Sequence, residues 1–317
     1  MILKLIPKYK ETKWGGKELI KIFNVNKEKS NFTNIGEAWI ASGYEGSESH
    51  IESHIDGFEI GLNELYKSNG SLFGHYKSIN FPLLIKIIDA NEDLSIQVHP
   101  NDWQAKWLSH FPNGKLESWY ILKANKEHEI IIGTTVNSKK EFKLKVKANK
   151  IGEIIKTVTV NNGDVFNIEP GTVHAIKSGT LVYEIQQPSD ITYRIYDYNR
   201  WDESDNKREL HIKKALKVIK VEENKRPIEK EIYDSKNLKL TQLVENKKFR
   251  LLKGIVDGES SYNFKRDNYF LVITVIKGSG KINDQDVKTF ESLILTNDEL
   301  NNSKFDGKME ILITNPI

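Results

Sequence analysis

The sequence contains no cysteine. That absence excludes disulfides, thiolate metal sites, cysteine nucleophiles and iron–sulfur clusters together, so any metal has to be held by histidine, carboxylate or amide oxygen. Long apolar runs are missing too. No stretch of about 18 residues is free of charge, as a membrane-spanning helix requires, and the opening MILKLIPKYK meets a lysine too early for the apolar core of a secretory signal. The expectation is a soluble, cytoplasmic protein without membrane contact. An excess of one charge is also lacking, since 47 Lys+Arg against 44 Asp+Glu leave a net charge of +3. The lysines are interspersed with acids rather than gathered in a block, which argues against a nucleic-acid partner. Histidine is scarce: there are eight, and none follows His211. Imidazole chemistry is therefore confined to the first two thirds of the chain.

What is present is a foldable apolar pattern. At 38% hydrophobic and 10% aromatic residues the chain is no disordered polyelectrolyte, and 317 residues suffice for one large domain or two modest ones. Period-two alternation at 37–42, 94–99 and 191–198 predicts strands, and the apolar runs 82–89, 128–133 and 180–187 predict more deeply buried ones. Asn162-Gly163-Asp164 and Lys277-Gly278-Ser279-Gly280 read as turns. Helical spacing is confined to roughly 101–110, 138–148 and 209–219. Many short strands and few helices predict a mainly β sandwich or barrel. The charged stretch 220–231, with Pro227, reads as a linker. It divides the chain into 1–225 and 226–317, the second part again alternating like strands but without Trp or His.

Within 94–99, alternation sends Leu94, Ile96 and Val98 to one face and Ser95, Gln97 and His99 to the other. That second face is either a metal-binding wall or a solvated polar surface. Glu117 opens the apolar strand Ser118-Trp119-Tyr120, as a ligand or as a solvated strand end. The run Glu169-Pro170-Gly171-Thr172-Val173-His174 delivers one histidine into apolar surroundings, as a ligand or as a satisfied core residue. Together these residues form a nitrogen and oxygen set suited to zinc or a similar divalent ion. Arg194 sits mid-strand among Tyr and Ile and needs an anion, from Asp190, Asp197 or Glu184 or from a substrate. Spacing alone slightly favours the structural pairing. Lys86 interrupts an apolar strand and must likewise reach a carboxylate, a phosphate or the mouth of a barrel.

Taken in order, Trp14-Gly15-Gly16, Ile35 to Trp39, Pro82 to Ala90, Asn91 to Asn101, Glu117 to Leu122, Gly171 to Ile176 and Glu184 to Asp197 resemble the type I mannose-6-phosphate isomerases in their short bacterial form. The likeness covers about 200 residues. It implies a cupin jelly-roll (double-stranded β-helix) catalytic core with a few short helices and a second, smaller β-domain. It implies one zinc per chain, held by His99, Glu117 and His174 with Gln97 as further ligand or neighbour, and a sugar phosphate as the partner. Arg194 matches the family's catalytic arginine and Lys115 a lysine of its site. Lys86 and Lys115 are candidates for the substrate phosphate. With Glu184, Asp197 and a metal-bound hydroxide, they are also candidates for the proton-transfer base. Trp14 and Trp39 are candidates for stacking on the sugar. The implied activity interconverts mannose 6-phosphate and fructose 6-phosphate through an enediol, feeding mannose into central carbohydrate metabolism. Two departures stand out: Glu169-Pro170 precedes Gly171-Thr172 where Pro-Ala is usual, and Leu116 replaces a small residue. A cupin Fe(II) oxygenase and a sugar-binding cupin without turnover remain alternatives.

Overall fold

The computed structural model describes residues 1–25, 31–52, 59–127, 129–201, 206–221 and 226–317. The boundary expected near 225, and position 128 at the head of one expected strand, lie outside the described residues.

Two antiparallel sheets face each other and form a jelly roll. One is six-stranded, in the order Val165–Ile168, Glu117–Lys123, Thr180–Gln186, Leu84–Ala90, Glu37–Ser42 and Lys8–Lys10. The other is five-stranded, in the order Ile155–Thr159, Glu129–Thr134, His174–Ala175, Ile96–Val98 and Tyr193–Tyr196. Because strand side chains alternate faces, each sheet has two apolar faces to bury. Ile88, Trp119, Ile121, Val182, Ile130 and Ile132 meet between the sheets. The outer face of the smaller sheet, with Ile96, Val98 and Tyr193, is covered by Ala105, Phe142, Ala215 and Val218. These four belong to the helices Asp102–Ser109, Lys139–Lys147 and Ile212–Val218, where helical spacing was expected. Asn101 caps the first of them in a capping box with Gln104. Two further helices, Glu18–Ile22 and Leu62–Ser68, span too few turns to show a period in sequence.

The outer face of the larger sheet, with Ile85, Ile87, Tyr183 and Ile185, packs on Leu251, Val272, Ile294 and Leu312 from the C-terminal strands. Those strands form a further sheet with a core of its own around Leu240, Ile273 and Phe305. The N-terminal strand Ile2–Ile6 joins that sheet, pairing with Ser292–Leu295.

Two sequence expectations fail locally. Lys277 to Gly280 is not a turn but lies inside the strand Leu271–Ile282, beside a register shift at Val275 and Lys277. Gly278 has φ +79°, and a Cβ there would collide with the Lys308 carbonyl, so glycine serves a bulge and a close strand approach. The reversal comes at Asn283-Asp284, both with positive φ, between the paired Ile282 and Gln285. Leu94 also departs from its assigned face. It precedes the strand Ile96–Val98 and packs inward with Trp14 and Trp119, whereas Ile96 and Val98 face the helices.

Candidate metal centre and substrate cleft

The jelly roll brings three distant segments to one point between its sheets. His174 and Gln97 are direct neighbours across paired strands of the smaller sheet, and His99 follows Gln97 on the same face. Glu117 begins a strand of the facing sheet. The turn Glu169 to Thr172 aims His174. The Thr172 N–H donates to the Glu169 carbonyl, Pro170 holds the second position, and Gly171 takes φ +97°, where only glycine sits without strain. The Gly171 N–H donates to the His99 carbonyl at 2.9 Å, so the turn is tied to the second histidine's backbone.

Both imidazoles are oriented by backbone. His99 Nδ1–H donates to the Ile191 carbonyl at 2.9 Å, and His174 Nδ1–H to the Thr172 carbonyl at 2.9 Å. Each bond fixes the tautomer that leaves Nε2 as a bare acceptor. The two Nε2 atoms point at each other across 3.1 Å, and each lies 3.3 to 3.4 Å from a Glu117 oxygen. Glu117 is fully buried, and its Oε1 has no hydrogen-bond partner. The Lys115 ammonium reaches His99 Nε2 at 3.3 Å and Glu117 Oε2, but nothing among the described residues satisfies the buried Glu117 Oε1, and two imidazoles with a carboxylate are a borderline donor set suited to zinc. The residues therefore fit a divalent metal. Gln97 Nε2 approaches His174 Nε2 at 3.4 Å, while its Oε1 accepts from Ser95 Oγ at 3.2 Å. An amide turn would aim that oxygen at the same point.

Burial dominates the electrostatics. It pushes His174 down to about 4, and it holds His99 well below its usual value, reinforced by the Lys115 ammonium and the second imidazole. Both rings are thus neutral, as ligands must be. Lys115 lies 2.5 Å from Glu117 Oε2 and 3.8 Å from Glu184 Oε1. Burial works against its charge, but Glu117 and Glu184 outweigh it and raise the lysine's pKa. Lys86 sits 3.5 Å from Glu37, 3.8 Å from Asp190 and 3.9 Å from Glu184, and these carboxylates likewise overcome its burial and raise it. Glu184 moves upward, chiefly through burial and then through Glu117, against the pull of Lys115, Lys86 and the Trp119 Nε1–H. Lys86, Glu184 and Trp119 align in register on three adjacent strands, so the Glu184 carboxylate lies between an ammonium and an indole N–H.

Above this floor opens a cleft of about 500 Å³. Gln97, Lys86, Lys115, Glu184, Trp14 and Arg194 all line it. Arg194 stands opposite Gln97 on the neighbouring strand, half-buried, with its Nε unpartnered and no ion pair to any described residue. Asp197, one of the partners considered for it, is taken by Arg200 at 2.6 Å and Arg208 at 2.9 Å. Trp39 is fully buried, with the Lys10 ammonium 3.4 Å and the Lys86 ammonium 4.4 Å from its ring centre; cations, not a sugar, cover its ring. Lys10, Lys13 and Arg208 complete the cationic lining. Sequence reasoning missed these three. The only signal for the two lysines was their nearness to Trp14.

Residues 2–144 match the family model of the phosphomannose isomerase type I catalytic domain. The mannose-6-phosphate isomerase ManA of Bacillus subtilis (strain 168) is 36% identical over 278 residues, covering 87% of this chain and 85% of its own. The crystal structure of the mannose 6-phosphate isomerase from Bacillus subtilis superposes with a TM-score of 0.91 at 31% identity, covering 99% of both chains. A zinc-bound mannose 6-phosphate isomerase structure, 15% identical, shares the fold with a TM-score of 0.75 over 99% of each chain.

Proposed function

From the premise that this chain belongs to the type I mannose-6-phosphate isomerases, we infer that it interconverts mannose 6-phosphate and fructose 6-phosphate, drawing mannose into central carbohydrate metabolism. The observation that carries the reading is the convergence of His99 Nε2, His174 Nε2 and the orphaned Glu117 Oε1 at the floor of a cation-lined cleft. We assign His99, Glu117 and His174, with Gln97 through its amide oxygen, as ligands of one zinc ion. Zinc bound there supplies a Lewis acid that polarises the carbonyl of the open-chain sugar.

The chain's own side chains do the rest. Aldose–ketose conversion moves a proton between C1 and C2 through an enediol. Arg194 faces the cleft with an unsatisfied N–H and directs charge-assisted hydrogen bonds at the sugar oxygens as negative charge develops on them. Lys86 and Lys115 flank Glu184 at 3.9 Å and 3.8 Å and hold it in place, and the carboxylates Glu37, Asp190 and Glu184 keep Lys86 an ammonium despite its burial. Glu184, its own pKa raised, takes the proton from one carbon and returns it to the other. Trp14 forms an apolar wall beside Ile176 and Leu94 and keeps water from the reacting carbons.

The division at 225 belongs to this proposal as well. Residues 1–225 carry every assigned ligand and cleft residue, and 226–317 back the larger sheet. The only described cluster of metal-ligating side chains lies in the first part. No described helix is long and apolar enough to cross a membrane, and we place the protein in the cytoplasm. A coupled assay that reports fructose 6-phosphate formed from mannose 6-phosphate tests the reading. Turnover supports it, and its absence from a metal-loaded protein refutes it.

A further inference from the structure

The cations of the cleft are not equivalent. Lys86 and Lys115 each lie within 4 Å of at least two carboxylates, and Arg208 pairs with Asp197. Their charge is spent inside the protein. Three cations of the cleft form no ion pair with any described residue: Arg194, which stands opposite Gln97, Lys13, which is exposed, and Lys10, which is half-buried. The Lys10 ammonium stands 3.4 Å over the Trp39 ring. It ends a chain of contacts that runs from Glu117 through Lys115, Glu184, Lys86 and Trp39. The neighbouring carboxylates, Glu37 and Asp190, are engaged with Lys86. Burial lowers the Lys10 pKa against their attraction, so an anion brought to it would relieve an unfavourable desolvation.

We propose that Lys10 is the positioning residue that binds the substrate's phosphate dianion and so selects a 6-phosphorylated sugar over a free one. This rests on the isomerase reading and deepens it. An open-chain hexose with O1 and O2 at the metal floor carries its phosphate at the other end of its carbon chain, and Lys10 is a half-buried cation of the same cleft with no carboxylate of its own among the described residues. The strand Lys8–Lys10 places it by pairing Lys10 with Glu37 and Lys8 with Trp39.

Two measurements on the metal-loaded protein test this. In Lys10→Gln, KM for mannose 6-phosphate should rise roughly ten- to a hundredfold, the loss of one charge-assisted hydrogen bond, while kcat changes much less. By calorimetry, inorganic phosphate should bind the parent protein and bind Lys10→Gln more weakly by a similar factor, with Lys10→Arg restoring most of the affinity. Lys10→Met, which keeps an unbranched stem over Trp39, replaces the glutamine variant if that fails to fold. Phosphate that binds parent and uncharged variant equally, or does not bind the parent at all, overturns the proposal. Absence of turnover in the parent would instead sink the isomerase reading, and the calorimetry would still decide the role of Lys10.

Discussion

Arg194→Lys separates a catalytic arginine from a structural one. The substitution keeps the charge but loses the planar fork of donors. If the guanidinium held a buried carboxylate, breaking the pair would cost about 3–5 kcal/mol of stability. The structure provides no such partner among the described residues, and Arg194 Nε is unsatisfied. The expected stability change is therefore below about 1 kcal/mol, the range of substitutions that break no buried network. That corresponds to a melting shift of no more than roughly 2–4 °C for a chain of this size. Catalysis should respond differently. Losing one preorganised donor to a developing oxyanion typically costs about 10²- to 10³-fold in kcat, or ~2.7–4 kcal/mol of barrier. Asp197→Asn serves as the internal contrast, because it strips Arg200 and Arg208 of their buried carboxylate. It should lower the melting temperature by more than Arg194→Lys does. Steady-state kinetics and thermal unfolding on both variants decide the point. An Arg194→Lys protein that unfolds early yet turns over normally per folded molecule refutes the catalytic role.

His174→Ala removes one of the proposed ligands, so bound zinc by elemental analysis should fall well below one per chain and activity to near background; native activity with full metal content would return His174 to the core. After chelation, both buried imidazoles stay neutral while their unfolded counterparts titrate near the ordinary value of 6.5, so the unfolded chain binds more protons as pH falls toward about 4. The metal-free protein should hold its melting temperature above pH 6.5 and lose it between that pH and about 4, with His174→Gln flattening the loss; equal pH dependence in both proteins would contradict the burial argument. Lys253→Met breaks the pair with Glu310 at 2.8 Å in the C-terminal sheet. It should change the melting temperature slightly and leave kcat unchanged, whereas lost turnover in a folded, metal-loaded variant would place catalytic function beyond residue 225.

The readable parts of the sequence were those governed by local periodicity. Gln97 and His99 alternate with Val98, and the Pro170-Gly171 corner reads as a turn leading to His174, which the sequence left open as a ligand or a core residue. The unreadable parts depend on tertiary contact. That Glu117 is buried against two imidazoles, and is not a solvated strand end, depends on histidines 18 and 57 residues away, brought across the gap between the sheets. Asp197 stood as near to Arg194 in sequence as any carboxylate, but Arg200 and Arg208 claim it after a reversal at Tyr198 and Asn199, both with positive φ. Lys10 carries no local signal beyond its nearness to Trp14, since its environment is made by Trp39 and Lys86 from other strands. Gly278 and Gly280 resemble a turn in sequence because glycine serves a bulge and a turn for the same reason, its freedom at positive φ and close approach. Leu94 was misassigned because alternation binds only residues inside the strand, which begins at Ile96.

The proposed metal, held by three buried acceptors, should govern mannose 6-phosphate isomerisation, so zinc content and fructose 6-phosphate formation are measured on one purified sample, before chelation, after it, and after zinc is returned. The expected result is one zinc per chain, loss of turnover in step with loss of metal, and recovery on adding zinc back. Full turnover by a protein shown to be metal-free would contradict it.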